Sequence, residues 1–222
     1  MKTHTSRIDD LRWAKPAHQA RSQRTLEQLL DAAEAEIREK GYADASVAEI
    51  ARRAGCAVGT VYRRFRDKTA LLHALDERWG EAFRATMEDA VAPERWQGAP
   101  ILELLTGYIE FTLSEGRDRA ALHRAALTMA SRDAGFAERQ LKLAAELQER
   151  LRALLLARVD EIGHADPPVA IDFALEQLRS MLMVRLAALP LEGSLFAGSD
   201  EQFIDQALTS VAAYLKLEAR TA

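Results

Sequence analysis

The sequence predicts an all-α chain of about nine helices, with a three-helix head at the N-terminus and a larger helical body behind it. Three observations predict this. Apolar residues recur at steps of three and four through most of the chain, the period of a helix buried on one side. The pattern breaks at glycine and proline: at Gly41, at Gly55, between Pro93 and Pro100, and between Gly163 and Pro168. No stretch reads convincingly as a strand. The 222 residues leave room for a head of about 50–70 residues and a body beyond it. With 48% hydrophobic and 29% charged residues, the chain can bury a core and stay soluble.

The first helix is predicted from Ser22 to Lys40. Leu26, Leu29, Leu30, Ala33 and Ile37 form its buried stripe, and Gly41 ends it. Two short helices follow between Ser46 and Lys68. The first spans Val47–Arg53, with Ser46 as N-cap and Glu49 as its capping-box partner. Gly55 supplies the turn, because a left-handed backbone costs glycine nothing. The second runs from about Ala57 to Phe65. Ile50, Ala51, Ala54, Val58, Val61 and Phe65 mark the buried face, while Thr60, Tyr62, Arg63, Arg64 and Arg66 lie opposite. A short helix that hides its apolar side and shows hydroxyls and guanidinium groups suits a DNA groove. The pair reads as a helix-turn-helix whose second helix is the reader.

Each residue of the predicted DNA face has a physical job. Thr60 and Tyr62 carry hydroxyls that can donate to phosphate oxygens. Lys68 opens a fourth helix, whose N-terminal amides point the same way. Gly59 lets the backbone approach closely. Arg63 has two readings, a bidentate bond to guanine or a second phosphate contact. Arg24 and Thr25 face the DNA backbone or are plain first-turn residues. Arg52 and Arg53 are assigned to the dipole of their own helix or to solvent. Residues 1–21 carry Lys2, Arg7, Arg12, Lys15 and Arg21 around Pro16, and read as a flexible basic arm or a tail that only adds charge. Residues 1–68 sum to +4 and the remainder to −8, so a basic head precedes an acidic body.

Gly41-Tyr42, Ser46-Val47, Ile50-Ala51, Ala54-Gly55, Gly59-Thr60, Tyr62, Phe65, Lys68 and Leu71-Leu72 stand in an order and spacing that resembles the TetR family of transcriptional regulators. The resemblance covers roughly residues 22–75. It implies a head that binds an inverted-repeat DNA operator as a homodimer, and a body that binds a small-molecule effector. It also favours a phosphate role for Tyr62 over packing in the head. Ser46 and Ala57, which open the two helices, join the DNA-facing set by the same resemblance. The chain departs from the family at Ala57, where serine is common, and so lacks a hydroxyl for a cap or a phosphate. The implied domains are the arm (1–21), the head (22–67) and an effector-binding, dimerising body (68–222).

The fourth helix is predicted from just after Asp67 to about Ala90, too long for the head alone. Trp79 on it is assigned to the core, while Phe83 and Met87 divide between core and ligand wall. Ala92–Pro100 is a connection and carries Trp96. The fifth helix runs from Ile101 to about Glu115, ended by Gly116, with Tyr108, Phe111 and Thr112 near one face. The sixth, about Asp118–Arg132, offers His123 and Met129. The seventh spans about Phe136–Ile162. The eighth, about Val169–Leu189, is apolar over most of its girth, which requires burial on two sides. Phe173, Gln177 and Met181 on it are ligand candidates, as are Phe83, Trp96 and the residues named on the fifth and sixth helices. Core packing is the competing reading for each. Arg185 interrupts the apolar run, as an anion neutraliser, a cross-dimer ion pair or a solvent-seeking chain. Pro190–Gly198 is a loop, and the ninth helix spans Asp200 to about Arg220. The eighth and ninth helices are the predicted dimer seam.

Catalysis finds no support. The five histidines are far apart, with no metal-ligand spacing, and there is no glycine-rich phosphate loop or serine elbow. No catalytic residue, metal ligand or cofactor is predicted. Cys56, the one cysteine, fits a reducing cytoplasm, with a redox sensor as a minor reading. The N-terminus lacks the apolar core of a signal peptide, and no run of eighteen apolar residues predicts a membrane span. Two other functions stay open: a helical ligand-binding protein or enzyme with a non-regulatory head, and a constitutive DNA binder with a closed core.

Overall fold

The computed structural model describes residues 20–118, 120–187 and 198–217. Most of the arm, the loop before the last helix and the C-terminal five residues lie outside them. The described residues form nine α-helices: α1 (Ala20–Asp44), α2 (Val47–Arg53), α3 (Val58–Arg64), α4 (Lys68–Ala90), α5 (Ile101–Asp118), α6 (Ala120–Ala130), α7 (Ala134–Leu156), α8 (Pro167–Ala187) and α9 (Asp200–Leu215). Among them there is no strand, only an isolated bridge between Ile162 and Leu217. No described helix is long and apolar enough to cross a membrane.

The chain divides into two compact units, Met1–Met87 with Ala121–Leu143, and Glu88–Ala120 with Ala144–Ala222. In the first unit, the predicted α1 stripe of Leu26, Leu29, Leu30, Ala33 and Ile37 is buried. It meets Ile50 and Ala51 of α2, Val61 and Phe65 around α3, and Leu71, Leu72 and Leu75 of α4 in one cluster. The head does not close this core alone. Ala125 and Met129 of α6 and Phe136 of α7 belong to the same cluster.

A buried polar clasp ties α4 to the start of α7. His73 is almost fully buried, and its Nε2 lies 2.9 Å from an Asp133 carboxylate oxygen. Its Nδ1 faces an Arg139 guanidinium nitrogen at 2.5 Å. Arg139 also pairs with Asp76, which accepts a 2.6 Å hydrogen bond from Gln140. Asp133 caps α7 by accepting from the Phe136 amide. These bonds fix His73 as the neutral ring that donates from Nε2 and accepts at Nδ1. Burial, and then the charge of Arg139, hold its pKa below the ordinary value.

In the second unit, α5, α8 and α9 pack against one another. Ala170, Ile171, Ala174, Leu175, Leu178, Leu182 and Leu186 line the buried side of α8, against Leu104, Leu105 and Ile109 of α5 and Val211 and Leu215 of α9 in the unit's interior. Gly116 does not end α5, which runs on to Asp118. A Cβ there would sit 2.6 Å from the Leu186 side chain, so the glycine serves a close helix approach and not a stop. The seventh helix stops at Leu156, short of Ile162, because the residues beyond it serve α5. Arg158 donates to the carbonyls of Ala99, Leu154 and Trp96, and Glu161 caps α5 at the Ile101 amide. The ninth helix ends at Leu215, short of Arg220, in a left-handed Lys216. The amides of Lys216 and Leu217 close on Ala213 and Ala212, a Schellman arrangement. The sixth helix is likewise shorter than expected at both ends.

Burial raises the Asp76 carboxyl to about 6 from an ordinary 3.8. A raised carboxyl pKa gives stability that is present below pH 3.8 and lost as pH rises through about 6. Asp76→Asn mimics the protonated form. Its stability relative to wild type should therefore rise by about 1 kcal/mol or more between pH 5 and pH 8, as read by urea unfolding at both pH values.

Candidate nucleic-acid interface

The helix-turn-helix forms where the spacing places it. Ser46 is extended (φ −109°, ψ 143°) and accepts from the Glu49 amide at 3.1 Å, capping α2. Only half of the expected capping box forms, because the Glu49 carboxylate is taken by Arg52 at 2.7 Å. Gly55 is left-handed (φ 66°), and the amides of Gly55 and Cys56 close on the carbonyls of Arg52 and Ala51. This Schellman turn satisfies the end of α2 and aims the chain into α3. At the other side of the turn, Ala57 has no side-chain cap to offer α3.

The α3 helix buries Val61, followed by Phe65 at its C-cap. Its other side is bare. Tyr62 is 52% exposed, so its ring does not pack within the head. Gly59 and Arg63 are exposed, and a Cβ at Gly59 would meet nothing within 4 Å. Arg63 reaches back to the Thr60 hydroxyl at 3.1 Å. Arg64 turns away and donates to the Ser22 carbonyl of α1.

The N-terminus of α4 lies beside α3 in sequence and is capped by Asp67, which accepts from the Ala70 amide at 2.8 Å. Lys68 donates to the Ala43 carbonyl at 3.1 Å and sits 4.5 Å from the centre of the Tyr42 ring. Burial lowers its pKa from the usual lysine value. A phosphate contact from Lys68 would exchange that carbonyl bond. At the start of α1, Arg24 is exposed and Thr25 half-buried.

Other residues differ from the reading of the sequence. Arg52 stays 71% exposed in the last turn of α2 and pairs with Glu49, whereas Arg53 turns to Glu36 and Glu39 of α1. Sequence spacing does not single out Glu36, His73 or Asp76. The last two stand on the apolar face of α4 among Leu71, Leu72 and Leu75, which was their only signal. Burial pushes the Cys56 thiol up, with Arg63 only partly offsetting it. That disfavours the reactive thiolate a redox sensor needs.

The ligand candidates of the body are divided between the two units. Phe83 and Met129 belong to the first unit, where Phe83 stacks on Trp79 with ring centres 5.2 Å apart. The side chain of His123 lies outside the described residues. In the second unit Trp96 covers Gly107 and donates to the Ala90 carbonyl at 2.6 Å. Tyr108 is pushed up to about 12 by burial, partly offset by a hydrogen bond with Thr112. Phe111, Thr112 and Met181 are half-buried, and the Thr112 hydroxyl donates to the carbonyl of Tyr108. Gln177 donates to the Ser210 hydroxyl at 2.9 Å, so α9 supplies its partner. Phe173 is 57% exposed and lies against Tyr214. Arg185 pairs within the chain, with Asp200 at 2.7 Å and the Gly198 carbonyl. Among the described residues no group of three or more His, Cys, Asp or Glu side chains could hold a metal ion.

Comparison with known proteins gives this geometry a context. Residues 29–75 match the family described as bacterial regulatory proteins, tetR family. The HTH-type transcriptional regulator BetI of Serratia proteamaculans is 41% identical over 66 residues, 28% of this chain and 33% of that relative. BetI of Escherichia coli is 51% identical over 47 residues, 21% of this chain and 24% of that relative. The matches thus span a third or less of the length of these relatives. A putative TetR-family transcriptional regulator from Mesorhizobium loti shares the fold over 89% of this chain and 98% of its own, with a TM-score of 0.68 and 22% identity. FadR from Bacillus subtilis, solved with stearoyl-CoA, shares it over 85% and 97%, with a TM-score of 0.61 and 19% identity.

The open space at Gly59 separates folding from binding. Gly59→Ala should stabilise the free protein by about 0.5–1 kcal/mol, since alanine is the better helix former and nothing obstructs it. It should weaken DNA binding if the backbone there approaches the duplex. Thermal unfolding and a DNA titration of the same variant should move in opposite directions, and unchanged DNA affinity would remove Gly59 from the interface.

Proposed function

We propose, from the premise that this chain belongs to the TetR family through its N-terminal domain, that it is a DNA-binding transcriptional regulator and not an enzyme. It binds an inverted-repeat operator as a homodimer and represses from it, in the cytoplasm. The observation that carries the proposal is the bare side of α3. Tyr62 and Arg63 stand exposed near Gly59, where a Cβ would meet nothing within 4 Å, while Val61 and Phe65 are locked into the core. Phosphates fix the register through Tyr62, Thr60, Lys68 and the first turn of α4, with Arg24, Thr25 and Ser46 at the margins. Arg63 reads a base edge after releasing Thr60. Release by a small molecule that enters the body completes the reading. Family membership and the neighbour that holds stearoyl-CoA support that part.

The outer side of α8 supports the dimer. Val169, Phe173 and Val184 are 59%, 57% and 75% exposed on a helix whose other side is a continuous apolar core. A second copy related by a two-fold axis covers such a face with itself, and sets two reading helices on half-sites about one helical turn apart or a multiple of it.

Two measurements test the proposal. Arg63→Ala should cost roughly 1–3 kcal/mol on the selected duplex and much less on random DNA, whereas Tyr62→Phe should weaken both together. Equal losses for Arg63→Ala would make it a phosphate contact. Val184→Arg should turn a dimer into a monomer in sedimentation and weaken operator binding about a hundredfold or more through lost bivalency. An intact dimer in that variant would move the seam away from α8.

A further inference from the structure

Glu36 is a carboxylate with no exposed side-chain surface, set among Ala32, Ala33 and Ile37 on the buried side of α1. A buried charge is costly unless both its oxygens are matched. Oε2 accepts from Arg53 at 3.1 Å, while Oε1 has the charge of Lys40 Nζ 2.8 Å away but no hydrogen bond, so Arg53 supplies the directional contact. Arg53 also grips Glu39 with both arms of its fork, at 2.9 and 2.6 Å. Two carboxylates on one face of α1, three residues apart, therefore hold one guanidinium. Arg53 is the last residue of α2. The Ala54–Cys56 turn follows it directly, and α3 begins at Val58 with no side-chain cap from Ala57. The aim of α3 thus rests on Val61, Phe65, the Arg64 bond to the Ser22 carbonyl and whatever anchors the end of α2.

We propose that Glu36 and Arg53 are positioning residues for the reading helix: their clamp fixes the end of α2, and so the angle at which the uncapped α3 meets DNA. This rests on the DNA-binding reading above. The clamp does its work without touching the duplex, since both faces of the Arg53 fork are spent on α1. An arginine is required, because lysine brings the charge but not a planar fork that two carboxylates can share.

The test separates aim from folding. The wild-type chain first enriches a duplex from a random library, and its preference is the affinity ratio between that duplex and a scrambled one of equal length. Two variants follow. Arg53→Lys keeps the charge and loses the fork. The double variant Glu36→Leu with Arg53→Leu removes both charges together, a replacement that is often neutral or stabilising. Each should unfold near the wild-type temperature and bind the scrambled duplex within about twofold, yet lose preference by about tenfold, the scale of one misread base pair. If the double variant does not fold, Arg53→Lys decides. Wild-type preference in a folded variant would overturn the clamp and leave the DNA-binding reading standing. Equal weakening on both duplexes would also overturn it, by making Arg53 a phosphate contact. Failure of the wild-type chain to enrich any sequence would end the DNA-binding reading, and the clamp with it.

Discussion

A helix of seven residues cannot hold itself together, and that constraint governs the head. Both α2 and α3 are that short. Ordering each residue costs about 1–2 kcal/mol of backbone entropy, and so short a helix closes few of the bonds that would offset it. Their stability must come from burial on α1, α4 and the corner between α6 and α7, which is why Ile50, Ala51, Val61 and Phe65 are all sealed in one core. The same constraint exposes the rest. A helix pinned by a single narrow stripe leaves its opposite side free, and on α3 that side carries Tyr62 and Arg63.

Apolar burial holds these helices but aims them loosely, because leucine and valine tolerate small rotations. Directional contacts supply the aim. The Arg53 fork at the end of α2 reaches the buried Glu36, and the His73–Asp133–Arg139–Asp76 clasp between α4 and α7 surrounds the buried His73. Such groups add little net stability, but breaking one partnership strands a charge, so the geometry is held tightly. The pKa directions agree. Asp76 is pushed up because burial outweighs its partner Arg139, while Asp133 falls because it first caps the Phe136 amide.

Local signals were legible in the sequence and distant ones were not. The bounds of α2, the left-handed Gly55 and the start of α4 follow from caps, turns and period, all decided within a few residues. Gly116 looked like a stop because a glycine's default reading is local; its reason is Leu186, seventy residues away. The partners of His73 lie 60 and 66 residues along the chain, so no spacing pointed to them. Glu36 has no signal of its own in the sequence, since nothing there says that Arg53 returns to that spot. Phe173 read as a pocket or core aromatic because α8 is apolar on nearly every side. Period alone cannot say which side its own chain will cover.

That last ambiguity has a physical resolution. One side of α8 is covered within the chain, by residues from Ala170 to Leu186, and the other shows Val169, Phe173 and Val184 to solvent. Between them on the helix, Glu176 and Arg179 pair with each other at 2.5 Å, which holds the glutamate's pKa down and the arginine's up. A pair that is neutralised on its own helix asks nothing of a facing surface. It can meet an identical copy without setting like charges unpaired against each other, which a lone charge on a two-fold axis cannot do. An apolar stripe broken by Ser180 and a self-satisfied ion pair is therefore suited to a partner that is the same helix, turned about.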